Sequence, residues 1–121
     1  MFEKLKQFDF DGKIVVLPDF FLDRMINSKT TTGGGSIRGV NTFDIKGGNA
    51  VNVAYCLAKM GLSVTLFTIA DNIGTSMLHT VFSKFGEGID LQIKNGKHGS
   101  TTSFEFYDNQ ESNANVMISD V

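Results

Sequence analysis

A glycine pair at positions 47 and 48 constrains this chain more than any other feature. It lies between a strand-like run at residues 40–45 and an apolar helix pattern that begins at Ala50. Glycine carries no Cβ, so backbone there can approach a bound group closely. The helix that follows opens with N–H groups that lack internal partners and can point at a ligand. Asn52 adds a donor and an acceptor in the first turn. The expectation is a polar-ligand site at a strand-to-helix junction.

The pattern on either side sets the fold class. Residues 13–17, Lys-Ile-Val-Val-Leu, form a short apolar run before Pro18, with the length and β-branching of a buried strand. Phe20, Phe21 and Leu22 prolong its apolar character until Asp23 interrupts it. Residues 30–36 are a loop by composition. Ala50, Val53, Ala54, Leu57 and Ala58 recur at helical spacing, and Gly61 is the stop. Residues 63–70 read as a second buried strand. Met77, Leu78, Val81, Phe82 and Phe85 then form one face of a second helix ending at Gly86, and residues 88–93 make a further strand. Strand and helix alternate, which argues for a parallel α/β layer. Residues 101–107 and 113–119 read as a hairpin around residues 108–111, with Phe104 and Phe106 on one face and Glu105 on the other.

Composition bounds the rest. The 121 residues fit one domain, and 41% hydrophobic with 20% charged residues is ordinary for a folded chain. Net charge is −2 with Lys and Arg scattered, so no nucleic-acid partner is expected. No apolar run approaches the roughly 20 residues of a membrane span, so no membrane partner is expected either. The first six residues are no signal peptide, which suits the cytoplasm. Cys56, the only cysteine, falls inside the helix pattern and reads as a packed thiol. His79 and His98 show no metal-ligand spacing with it, and no metal site is expected.

Three nucleotide or catalytic signals fail. Gly96-Lys97 lacks the first glycine and the Ser/Thr of a P-loop. Gly33, Gly35 and Gly39 follow threonines rather than a buried strand. Gly86-Glu87-Gly88-Ile89-Asp90 follows a helix and leads into a strand.

Gly47, Gly48, Ala50, Asn52, Ala54 and Gly61 resemble the first signature of the ribokinase/PfkB family of sugar and nucleoside kinases. Asp23 stands where that family has its substrate aspartate. Ala70-Asp71-Asn72-Ile73-Gly74 resembles its strand-to-Gly-Asp segment, with Ala70 for the usual glycine, and Phe21 replaces a frequent asparagine. The resemblance implies the front part of such a kinase. Its fold would be a partial doubly wound parallel sheet with a small β-sheet lid, the lid strands falling within about 26–46 and 100–119. It implies ATP and Mg²⁺ for the complete enzyme, with no site for them and no catalytic residue in this chain. The remaining C-terminal half or a partner chain would supply the base, and a homodimer through the β-lid is left open.

The resemblance assigns substrate contact to Asp23, Gly47, Gly48, Asn52 and Thr101. Each has a plainer reading. Asp23 can accept hydroxyl hydrogen bonds, or be a solvated acid paired with Arg24 or Lys29. The glycines can serve packing alone. Asn52 can cap backbone, although Asn49 is the natural N-cap. Thr101 and Thr102 can simply be β-formers. Two functions stay open: phosphoryl transfer from ATP to a sugar or nucleoside hydroxyl, or a non-catalytic module that binds a polyol or associates with a partner.

Overall fold

The computed structural model describes residues 12–28, 40–96, 100–108 and 111–118. The loop at residues 30–36, the glycines at 33–39, Lys97, His98 and Ser119 lie outside them. Two sheets organise the described residues. The first is parallel, built from β1 (Ile14–Val16), β4 (Val64–Ala70) and β5 (Ile89–Asn95) in the spatial order β1-β4-β5. The second has four strands in the order β3-β2-β6-β7, from β2 (Phe21–Asn27), β3 (Thr42–Gly47), β6 (Thr101–Asp108) and β7 (Glu111–Ile118). Its central pair, β2 and β6, is parallel, and the outer pairs are antiparallel. Helices α1 (Asn49–Lys59) and α2 (Asn72–Phe82) follow β3 and β4. A 3₁₀ turn at Ser83–Gly88 leads into β5.

Strand β4 shows how the layers meet. Val64, Leu66, Thr68 and Ala70 are buried, while Phe67 and Ile69 are 46% and 55% exposed. Successive side chains point to opposite faces, so both helices pack on one face of this sheet. The core beneath them joins Leu66 and Val64 to Val51, Ala54, Leu78 and Phe82. Tyr55, Phe82 and Phe85 stack edge-on or tilted beside it, with ring centroids 5.3–6.1 Å apart.

Three expectations need correction. Residues 20–23 do not extend the first strand. β1 ends at Val16, and Phe21 begins β2 in the other sheet, earlier than the 26 expected for the lid. Pro18 has no N–H to give a ladder, and it stands at this break. The buried row of α1 is Ala50, Val51, Ala54 and Ala58, whereas Val53 is 49% exposed. Alanines four apart let the helix lie close to the sheet, and Val51 fills the space beside them. Cys56 is exposed rather than packed, because it falls off that row.

Candidate functional site

Two helix starts flank the upper ends of the parallel strands, and they are built differently. At α2, Asp71 is a local N-cap: its Oδ1 accepts the Gly74 N–H at 2.8 Å. The same carboxylate accepts Ser100 Oγ–H at 3.0 Å and Ser100 N–H at 3.2 Å, tying the start of β6 to the helix. The Gly74 bond, ahead of the Ser100 bonds, holds the Asp71 carboxyl below the usual aspartate range. A Cβ on Gly74 would meet Phe20 at 2.4 Å, so this glycine is a packing residue.

At α1, Gly48 occupies the N-cap position with φ +93° and no side-chain cap. Asn49 does not cap. Its own N–H donates to Asp19 Oδ2 at 2.8 Å, and the Ala50 N–H donates to Asp19 Oδ1 at 3.3 Å. The cap therefore comes from a residue thirty positions earlier. A Cβ on Gly48 would lie 2.5 Å from the Asp19 carbonyl oxygen. A Cβ on Gly47 would lie 2.3 Å from Asp23 Oδ2. The pair thus does two jobs: Gly48 lets Asp19 reach the helix, and Gly47 makes room for the Asp23 carboxylate.

Below Gly47 a cavity of about 1070 Å³ opens between β3, α1 and α2. That is the upper end of the size of small-molecule sites. Asp23 and Asn52 both line it. Burial raises the Asp23 carboxyl above its ordinary range, Glu105 adds to the rise, and Lys46 opposes it. Arg24 turns the other way and pairs with Asp44 at 2.8 and 2.9 Å, so it is not the partner of Asp23. Asn52 Oδ1 accepts Lys46 Nζ–H at 2.8 Å, which leaves the amide NH₂ as donor. Gly47 and Gly48 sit behind this wall. Thr101 opens β6 in register with Phe21, on the face of the sheet that carries Asp23, but does not line the cavity.

Sequence reasoning missed Asp19, Lys46, Tyr55 and Lys84. Lys46 and Lys84 lie 4.5 and 4.8 Å from the centre of the Tyr55 ring, and Lys84 donates to the Tyr55 hydroxyl. That bond from Lys84, with the fields of Lys84, Lys59 and Lys46, lowers the Tyr55 phenol below its usual range. Only Lys46, next to Gly47, carried a positional signal. No helix among the described residues is long and apolar enough to cross a membrane.

This architecture is the ribokinase-like fold. The chain superposes on the ribokinase of Cryptococcus neoformans var. grubii serotype A in complex with ADP with a TM-score of 0.72 and 17% identity, covering 89% of this chain and 34% of that one. It superposes on Arabidopsis thaliana ribokinase complexed with ribose and ATP with a TM-score of 0.71 and 13% identity, covering 88% and 35%. A carbohydrate kinase from Agrobacterium tumefaciens gives 0.68 and 17%, covering 88% and 35%. The chain therefore spans about a third of the length of these kinases. No protein-family model matches it, and no curated protein matches it by sequence.

Proposed function

We propose that this chain is the substrate-side part of an enzyme that transfers phosphate from ATP to a hydroxyl of a sugar or nucleoside, working in the cytoplasm. The observation that carries this reading is the fit of the Asp23 carboxylate against Gly47, with Asn52 on the same cavity. A carboxylate accepts hydrogen bonds from two neighbouring hydroxyls, and an amide NH₂ donates to a third oxygen. Asp23 and Asn52 thus hold and orient a polyol. Gly47 and Gly48 bring the helix start close to it, and Thr101, across from Phe21 on the sheet face that carries Asp23, is assigned to the polyol from the lid side.

The described residues do not fit ATP or Mg²⁺. Among them no group of three His, Cys, Asp or Glu could hold a metal ion. The Gly86-Glu87-Gly88 segment is a 3₁₀ turn that feeds a strand, with Asp90 exposed on β5. Phosphate stabilisation needs glycine N–H groups opening a helix instead. The base and the nucleotide cradle are assigned to residues outside this part. In an ADP-release assay with a panel of sugars and nucleosides, the 121 residues alone should match the no-enzyme control. Turnover lost on Asp90→Ala would place the catalytic apparatus here and overturn the assignment.

The second reading, a non-catalytic module that associates with a partner, draws on the bare face of the parallel sheet. Val15, Leu17, Phe67 and Ile69 are exposed on β1, β4 and the turn after β1. The outward residues of β5, Asp90, Gln92 and Lys94, are polar. Exposed apolar area of this kind marks an interface. Both readings therefore expect further protein to cover β1 and β4, a non-catalytic module could bind a polyol as well, and only the enzyme reading expects phosphoryl transfer once that further protein is present.

A further inference from the structure

Asp23 lies on β2, and its neighbour on the lid side is β6, which runs parallel to it. A hairpin turn fixes the register of an antiparallel pair, but parallel strands have no such turn between them. The register of β2 and β6 must therefore be set where the two strands begin. Phe20 and Ser100, the residues just before them, both rest on the start of α2. Ser100 exchanges three hydrogen bonds with Asp71. Its Oγ–H and N–H donate to the carboxylate at 3.0 and 3.2 Å, and its Oγ accepts the Asp71 N–H at 3.1 Å. A Cβ on Gly74 would lie 2.4 Å from the buried Phe20 ring and 2.8 Å from Ser100 Oγ. Ring and hydroxyl thus share one bare stretch of helix backbone. From this seat Phe21 pairs with Thr101, Asp23 with Ser103 and Met25 with Glu105. Side chains two apart share a face, so Ser103 and Glu105 stand on the Asp23 side of the sheet.

We infer that Asp71 and Ser100 are positioning residues for Asp23: their clamp holds β6 in place against β2 and keeps the Asp23 carboxylate half-buried on the cavity wall. Neither residue lines the cavity, so neither touches what binds there. The α1 start places the strand that carries Asp23, and this clamp places the strand beside it. Two of its bonds go to an ionised carboxylate and are of the stronger, charge-assisted kind. Burial and, after it, Glu105 on β6 raise the Asp23 carboxyl above its ordinary range. Releasing β6 weakens both influences, so the state of Asp23 reports on the clamp with nothing bound. The consequence for affinity rests on the polyol reading of Asp23; the placement of Asp23 does not.

Two measurements test this. The first follows the Asp23 carboxyl through a pH titration by carbon NMR, without ligand. In Ser100→Ala, which loses both hydroxyl bonds, its pKa should fall toward the ordinary aspartate value; Ser100→Thr, which keeps the hydroxyl, should restore it. Asp71→Asn keeps the Gly74 cap but turns a donor toward the Ser100 N–H, and should give a smaller shift in the same direction. It decides the matter if Ser100→Ala does not fold. The second is calorimetry with ribose, fructose and adenosine as probes. Ser100→Ala should weaken the bound probe about 3- to 10-fold, for hydroxyl bonds felt indirectly. In the Asp23→Ala background it should cost nothing more, whereas a general softening of the fold would cost the same in both backgrounds. If none of the probes binds, the polyol reading fails and the Asp23 titration still decides the clamp. An Asp23 titration unchanged in both Ser100→Ala and Asp71→Asn, or losses that simply multiply with Asp23→Ala, overturns the inference.

Discussion

The two helix starts carry the same geometric duty and meet it by opposite means. α2 is capped by Asp71, the residue before it, through a bond to Gly74 three positions on. α1 is capped by Asp19 from another loop, across a glycine pair that leaves no room for a Cβ. The local cap at α2 satisfies the Gly74 N–H from the adjacent residue and uses its remaining acceptors to hold Ser100. A cap from thirty residues away fixes the relation between β1, β2 and α1, and places Asp23 at the cavity beside it. The lesson is that the α1 start, capped from afar, positions two strands and a carboxylate, while the α2 start caps itself and anchors only the beginning of β6. Substitutions should separate these roles.

The largest effect on stability is expected from Gly48→Ala. The new Cβ would press on the Asp19 backbone in a left-handed conformation, and a loss of about 2–5 kcal/mol should appear in chemical denaturation. Gly61→Ala, also at positive φ but with nothing within 4 Å, should cost only about 1 kcal/mol. A similar loss at both sites would deny the close approach at Gly48.

Gly47→Ala is expected to act on the ligand more than on the fold. Its Cβ meets a side chain, and Asp23 can swing away at moderate cost. Polyol affinity should fall as far as in Asp23→Ala, with a smaller change in stability than for Gly48→Ala. Next comes Asp19→Ala, which removes the remote cap and should cost about 1–2 kcal/mol. The smallest effect belongs to Asp71→Asn, where the amide keeps an acceptor for Gly74, at about 0.5–1 kcal/mol near neutral pH.

Acid should distinguish the two sites by order. Asp71 has a folded-state pKa below its unfolded value, so its contribution is complete above the unfolded value and fades as pH falls through the folded one. Asp23 is shifted the other way. Its protonation begins at higher pH, relieves burial of charge and slightly favours the fold, while removing the charged acceptor. On acidification, ligand affinity should therefore fall before the Asp71 contribution to stability does. A titration of affinity set beside an acid-unfolding curve checks the order, and the reverse order would break the comparison.

The alternation of strand and helix, the hairpin at 101–118 and the stop at Gly61 were legible because each rests on local periodicity or a single glycine. Asp71 was legible as part of a motif for the same reason. What stayed hidden was assembled from distant residues. Nothing near Asp19 announces that it caps a helix starting at Asn49. The turn at Pro18 hid the transfer of Phe21 to the second sheet. Val53 and Val51 exchange places because the alanine row, not total hydrophobicity, decides how α1 sits. The resemblance singled out Asp23, Gly47 and Asn52, of which Asp23 and Asn52 line the cavity, whereas Tyr55 and Lys84 join it only once α1 and α2 pack together.

Titration calorimetry of Asp23→Ala against the unaltered chain, with the best-binding sugar or nucleoside of a panel, tests the central claim most directly. Two charge-assisted hydroxyl bonds, partly offset by water, correspond to about 2–3 kcal/mol, so affinity should fall roughly 30- to 150-fold. Asp23→Asn should lose somewhat less, since the amide keeps one acceptor. Unchanged affinity in Asp23→Ala, with the fold intact by circular dichroism, would contradict the claim and return Asp23 to an ordinary half-buried acid.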